Sequence, residues 1–129
     1  MPTRVICVVQ QKGGVAKTTT ACSVAHALAL AGHATLLIDL DPQANSTMSY
    51  LDRRSIGPSM YDVLVDPEVS VASVVRETNL PGLKVAPAKI SLAKVESKLI
   101  GEIDGHYRLK DKMADVASSY DAILIDTPP

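Results

Sequence analysis

Cysteine is scarce, charge is nearly balanced, and long apolar runs are missing. Only Cys7 and Cys22 are present. Cys7 falls in an apolar strand, expected to be buried, and Cys22 in a helical stretch. Without metal-ligand spacing, the two read as small apolar core residues of a reducing cytosol rather than as a disulfide or metal pair. The net charge of −1 gives no global basic field to attract nucleic acid, which leaves room only for a local patch. No apolar run is long enough to span a bilayer, and the N-terminus lacks a basic–apolar–small signal pattern. A cytoplasmic protein is therefore expected. His26, His33 and His106 are scattered without metal spacing. Lys84, Lys89, Lys94, Lys98, Lys110 and Lys112 are interleaved with acids, as on a solvated face. No internal repeat, low-complexity segment or domain boundary stands out.

What is present suits one globular domain. The chain is 47% hydrophobic and 21% charged, which separates it from disordered chains. Its 129 residues suffice for a core of their own. Arg4 to Gln10 is a continuous apolar run, expected as a strand buried on both faces of a parallel sheet. Thr18 to Ala31 reads as a helix, with Ala21, Val24, Ala25, Leu28 and Ala29 at helical spacing and Gly32 as its stop. Ala34 to Asp39 reads as a second buried strand. Pro42 to Ser55 is polar and loop-like, with room for a short helix. Met60 to Leu64 and Val69 to Val75 read as short helices, although their valines suit a strand equally well. Pro81-Gly82 marks a turn before a third strand, Leu83 to Ala86. Ser91 to Ile100 looks helical, with Leu92, Val95 and Leu99 on one side. His106 to Tyr120 is a helix with a stripe of Leu109, Met113, Val116, Ala117 and Tyr120. Ala122 to Asp126 is a fourth buried strand. This alternation predicts an α/β fold: a parallel sheet with helices on both faces, joined by right-handed crossovers.

The most informative stretch is Lys12-Gly13-Gly14-Val15-Ala16-Lys17-Thr18-Thr19. It follows an apolar strand and opens an alanine-rich helix, the layout of a phosphate-binding loop. Glycines let backbone N–H groups approach phosphate oxygens, and the helix dipole favours their charge. Lys17 can reach β- and γ-phosphates, and the Thr18 hydroxyl can ligate Mg²⁺. The common pattern G-x-x-x-x-G-K-[ST] fails, because Gln11 and Ala16 stand at its glycine positions. The form K-G-G-x-x-K-[ST] matches throughout. Carboxylates follow at two strand ends. Asp39 and Asp41 close the second strand, where ligands of open α/β sheets bind. They point to one face if the chain stays extended. Asp126 ends an apolar strand, the Walker B form whose carboxylate holds Mg²⁺.

These motifs resemble the deviant Walker A ATPases, a group that includes the ParA/Soj partition proteins, the MinD proteins and the nitrogenase iron proteins. The resemblance covers essentially the whole chain, with three motifs in order. It implies a Mg-dependent ATPase. Gly13, Gly14, Val15, Ala16 and the backbone through Thr19 would hold ATP. Lys12 would reach across an ATP-bound homodimer to the partner's nucleotide. Asp41 matches the aspartate assigned to orienting the attacking water, and Asp39 a position close to Mg²⁺. Asp39-Leu40-Asp41-Pro42-Gln43-Ala44-Asn45 looks like the second signature of the ParA group. This implies chromosome or plasmid partitioning, with non-specific DNA and a ParB-type protein as partners and a nucleoid-associated location. A MinD-like membrane-cycling ATPase and a non-catalytic nucleotide-binding module are the alternatives. A nitrogenase iron protein fits less well, since no cluster cysteine stands near Asp126. Ala16 departs from the glycine usual in the family. The expectation is that its φ is negative and that the loop still binds ATP. Family members run on for about as long again after the strand ending at Asp126. Residues 1–129 are therefore expected to be a partial P-loop ATPase domain, truncated there and leaving that strand uncovered.

Overall fold

The computed structural model describes residues 2–8, 15–95 and 105–128. A five-stranded sheet has the order β1-β5-β2-β4-β3: β1 (Arg4–Val8), β2 (Thr35–Asp39), β3 (Arg76–Glu77), β4 (Leu83–Ala86) and β5 (Ala122–Asp126). The first four strands in that order run parallel, and β3 adds an antiparallel edge. Helices α1 (Val15–Leu30), α2 (Asn45–Tyr50), α3 (Met60–Val65), α4 (Val71–Val74) and α5 (Gly105–Ala114) surround it.

The strict alternation of strand side chains divides the core into two layers. Leu37, Val85, Leu124 and Leu83 face α1, which lays Ala21, Ala25 and Ala29 on them. These small residues at four-residue spacing let the helix lie close to the sheet. Leu36, Ile38, Ile123 and Ile125 face the other layer, built on Met60, Val63, Val71, Val74, Leu92, Val95, Met113 and Val116.

Helix α1 stops as its sequence indicates. Gly32 has φ 91°, and its N–H bonds to the Ala29 carbonyl while that of His33 reaches Leu28. This 6→1 and 5→2 pair is a Schellman cap, which favours glycine at the left-handed position. Pro81-Gly82 forms the expected turn, with the Leu83 N–H on the Leu80 carbonyl and Gly82 at φ 88°.

Several expectations are corrected. The first strand is not buried on both faces. It is the sheet edge, with Val5 49% and Ile6 41% exposed, and Cys7 is exposed rather than a core residue. Among the described residues β1 pairs only with β5, and only Val8 of the strand packs against a core layer. Residues 9 and 10 lie outside the described residues. Strand β5 is buried, as its apolar run indicated, and, contrary to expectation, is not left uncovered by the end of the chain. It lies between β1 and β2, and all five of its residues are buried. Strand β3 was unforeseen, since two polar residues carry no periodicity. The helix expected over His106 to Tyr120 ends at Ala114, and a 3₁₀ turn follows at Ala117–Ser119. Of the helix expected over Ser91 to Ile100, residues 92–95 are helical and residues 96–100 lie outside the described residues.

Candidate active site

Strands β2 and β5 are adjacent and parallel, so their carboxyl ends coincide and Asp39 is the register partner of Asp126. Helix α1 begins beside them. Lys12, Gly13 and Gly14 lie outside the described residues, as do the side chains of Val15 and Ala16. Ala16 nevertheless falls within helix α1, where φ is negative, as expected.

Lys17 is buried with its Nζ on Asp126 Oδ1 and the Thr127 carbonyl, and 3.8 Å from Asp41 Oδ2. Thr18 Oγ1 donates to Asp126 Oδ2 at 3.3 Å. The structure thus gathers Lys17, Thr18, Asp41 and Asp126, from three separate chain segments. Thr19 is exposed on the outer side of α1.

Asp39 has different company. The chain does not remain extended past β2, because the Asp41 N–H turns back onto Asp39 Oδ1 at 3.0 Å. Asp39 Oδ2 accepts from both the N–H and the hydroxyl of Thr47, at 2.9 and 2.7 Å. Asp41 in turn accepts from the Gln43 N–H at 3.0 Å. Burial raises the pKa of Asp39 from 3.8 to about 6; hydrogen bonds from Thr47 and the Asp41 N–H oppose the rise, and the nearby Asp126 charge adds to it.

Two residues missing from the sequence reading belong to this site. Ser46 and Thr47 open α2 and are fully buried. Ser46 Oγ donates to Asp126 Oδ2 at 2.5 Å. The entry into α2 is unusual: Ala44 sits in the left-handed region at φ 58° and gives no side-chain cap. The only signal was the position of the two hydroxyls just after the Asp39–Asn45 run. Cys22 lies alongside, and burial pushes its thiol pKa up, partly opposed by the neighbouring Ser46 and Ser49 side chains.

A strand-to-helix lysine and threonine set against a strand-end aspartate, on a mostly parallel sheet, define the P-loop fold class. Within it the chain belongs to the AAA domain family AAA_31, which matches residues 3–129. It is 39% identical over 127 residues to the sporulation initiation inhibitor protein Soj of Bacillus subtilis, covering 98% of this chain and 50% of that protein. It is 43% identical over 131 residues to the chromosome partitioning protein ParA of Caulobacter vibrioides, covering 99% and 49%. A Mycobacterium smegmatis crystal structure, titled as cobyrinic acid a,c-diamide synthase with bound ATP analog and magnesium, superposes with a TM-score of 0.90 at 39% identity, over 98% of this chain and 52% of that one. The chain spans about half the length of the curated relatives it matches.

Proposed function

We propose that this chain is the nucleotide-binding part of a ParA-like ATPase. It would hydrolyse ATP and use an ATP-dependent dimer as a switch in chromosome or plasmid partitioning. The observation that carries the reading is the convergence of Lys17 and Thr18 on Asp126.

In this reading the backbone from Gly13 through Thr19 cradles the phosphates at the N-terminus of α1. Lys17 brings its charge to the β- and γ-oxygens, exchanging Asp126 and the Thr127 carbonyl for them. Asp41, 3.8 Å from Lys17, orients a water for in-line attack on the γ-phosphate. Lys12 completes the partner's site, which makes turnover depend on dimerisation. Thr18 and Asp126 would hold magnesium, with Asp39 close behind them. A hydroxyl and one or two carboxylates are the sparse, hard oxygen donors that this ion favours. When bound, it would supply positive charge against that developing on the phosphate oxygens.

Relatives named for sporulation control and chromosome partitioning favour partitioning over a MinD-like membrane cycle. Among the described residues no helix is long and apolar enough to cross a membrane. Non-specific DNA, a ParB-type protein and a cytoplasmic, nucleoid-associated location follow from the same reading. The test is MgATP binding and turnover in the wild type, Lys17→Ala and Asp41→Ala. Lys17→Ala should lose tight binding, and Asp41→Ala should keep it while turnover falls at least roughly 100-fold. Wild type and Lys17→Ala binding MgATP equally weakly would leave the inert-module alternative.

A further inference from the structure

Helix α2 places consecutive hydroxyls against the two register-paired carboxylates. Ser46 Oγ is on Asp126 Oδ2 at 2.5 Å, and Thr47 Oγ1 is on Asp39 Oδ2 at 2.7 Å. Both residues have no exposed surface. From this geometry we propose that α2 is a hydroxyl clamp, in which Ser46 is a positioning residue that fixes the Asp126 carboxylate for a divalent cation. The proposal rests on the MgATP reading above and adds residues outside its three motifs.

A carboxylate's terminal torsion is soft and roughly two-fold, so a lone strand-end aspartate presents its oxygens in many orientations. Asp126 is not free in this way. Lys17 takes Oδ1, while Thr18, at 3.3 Å, and Ser46 both donate to Oδ2. Of the two hydroxyls, Ser46 is much the closer and lies outside the phosphate loop. It therefore stays on Oδ2 while Lys17 and Thr18 turn to nucleotide and cation.

The clamp is itself anchored. Thr47 Oγ1 accepts from the Ala88 N–H at 2.9 Å, so its one proton is directed to Asp39. Ala88 follows β4, which pairs with β2. One hydroxyl thus ties α2 to β2 and to the segment after β4. Ala44 holds the left-handed conformation at 4% exposure, which aims the first turn of α2 at the strand ends. Groups that orient metal-binding carboxylates typically contribute 10–100-fold to metal affinity.

The test is Mg²⁺ titration of the full chain with a fluorescent ATP analogue, with Mn²⁺ paramagnetic resonance to count bound cation. Ser46→Ala should raise the half-saturating Mg²⁺ concentration by about 10-fold or more. Nucleotide affinity in EDTA should not change, a separation that general loss of packing would not produce. Ser49→Ala is the control, because its hydroxyl is exposed and bonds to the Asn45 carbonyl at 2.9 Å on the same helix. If Ser46→Ala does not fold, the near-isosteric pair Ser46→Thr and Ser46→Val decides, and only the valine should weaken Mg²⁺ binding. Unchanged Mg²⁺ half-saturation in Ser46→Ala, or equal values for the threonine and valine variants, overturns the clamp and leaves the ATPase reading intact. A wild type whose nucleotide binding ignores Mg²⁺ overturns both.

Discussion

Asp39 and Asp126 are neighbours across the β2–β5 pair, and each is held by a different hydroxyl of α2. Two buried carboxylates at adjacent strand ends repel, so their partners decide what each can do. Asp126 has the Lys17 ammonium directly on it. Among the described residues Asp39 has neutral donors: the Asp41 N–H and the N–H and hydroxyl of Thr47. The charged partner goes to Asp126, and Asp39 is braced by the following turn and the start of α2.

The two lysines of the phosphate loop should separate by phenotype. Lys12→Ala should keep some nucleotide binding and lose dimerisation and turnover. Lys17→Ala should lose tight ATP binding. It should also destabilise the protein by about 3 kcal/mol or more, because it removes the partner of the buried Asp126 carboxylate. Nucleotide titration, sizing with ATP and urea unfolding measure these. Unchanged turnover in Lys12→Ala would remove its cross-dimer role.

Asp39 makes stability depend on pH. Its pKa rises from 3.8 to about 6 on folding, so the folded protein holds the proton more tightly than the unfolded chain. The stabilising contribution is full below about pH 4 and is lost as pH rises through about 6. In EDTA, the stability of the wild type relative to Asp39→Asn should fall by on the order of 2–3 kcal/mol between those limits. Parallel pH–stability curves for the two proteins would contradict this.

The thiols report on the sheet edge. Cys7 is exposed on β1, whereas Cys22 is half-buried with its pKa raised by that burial. Iodoacetamide near neutral pH should modify Cys7 quickly and Cys22 slowly, since the thiolate is the nucleophile. Cys7→Ser should abolish the fast phase. Slow modification of both thiols in the wild type would mean that β1 is covered.

Ala44 carries backbone strain at φ 58°, where glycine is at ease. Ala44→Gly should therefore stabilise the protein by roughly 1 kcal/mol, read as a higher urea midpoint. A lower midpoint would mean that the alanine methyl contributes more in packing than its conformation costs.

Much of the secondary structure was legible because it is written in local periodicity. Leu83–Ala86 and Ala122–Asp126 are strands with the expected bounds, and Ala21, Ala25 and Ala29 lie on the buried face of α1. Concern over a residue needing positive φ fell on Ala16, inside the glycine loop. Ala16 is helical, and among the described residues the left-handed non-glycine residue is Ala44. Nothing in a Gln-Ala-Asn run marks that conformation, because it is imposed by the need to bring α2 onto the strand ends. Strand β3 was missed for a related reason: Arg76 and Glu77 are extended only because β4 is there to pair with them.

The amino-acid sequence by itself determined the kinds of element and the chemistry each could carry: a glycine-rich loop before a helix, a lysine and threonine in that helix, and aspartates at strand ends. These follow from backbone freedom, side-chain length and the spacing of apolar residues, all short-range properties. Tertiary structure decided which groups meet. Strand order put β5 inside and β1 at the edge, so that of two similarly apolar runs, both expected to be buried, only β5 is. It also brought Ser46 to Asp126, 80 residues away in the chain, and Lys17 to the same carboxylate across 109. Strand pairing and the packing of α1 and α2 on the sheet set those neighbours, and apolar periodicity alone does not specify which of several similar strands lies beside which.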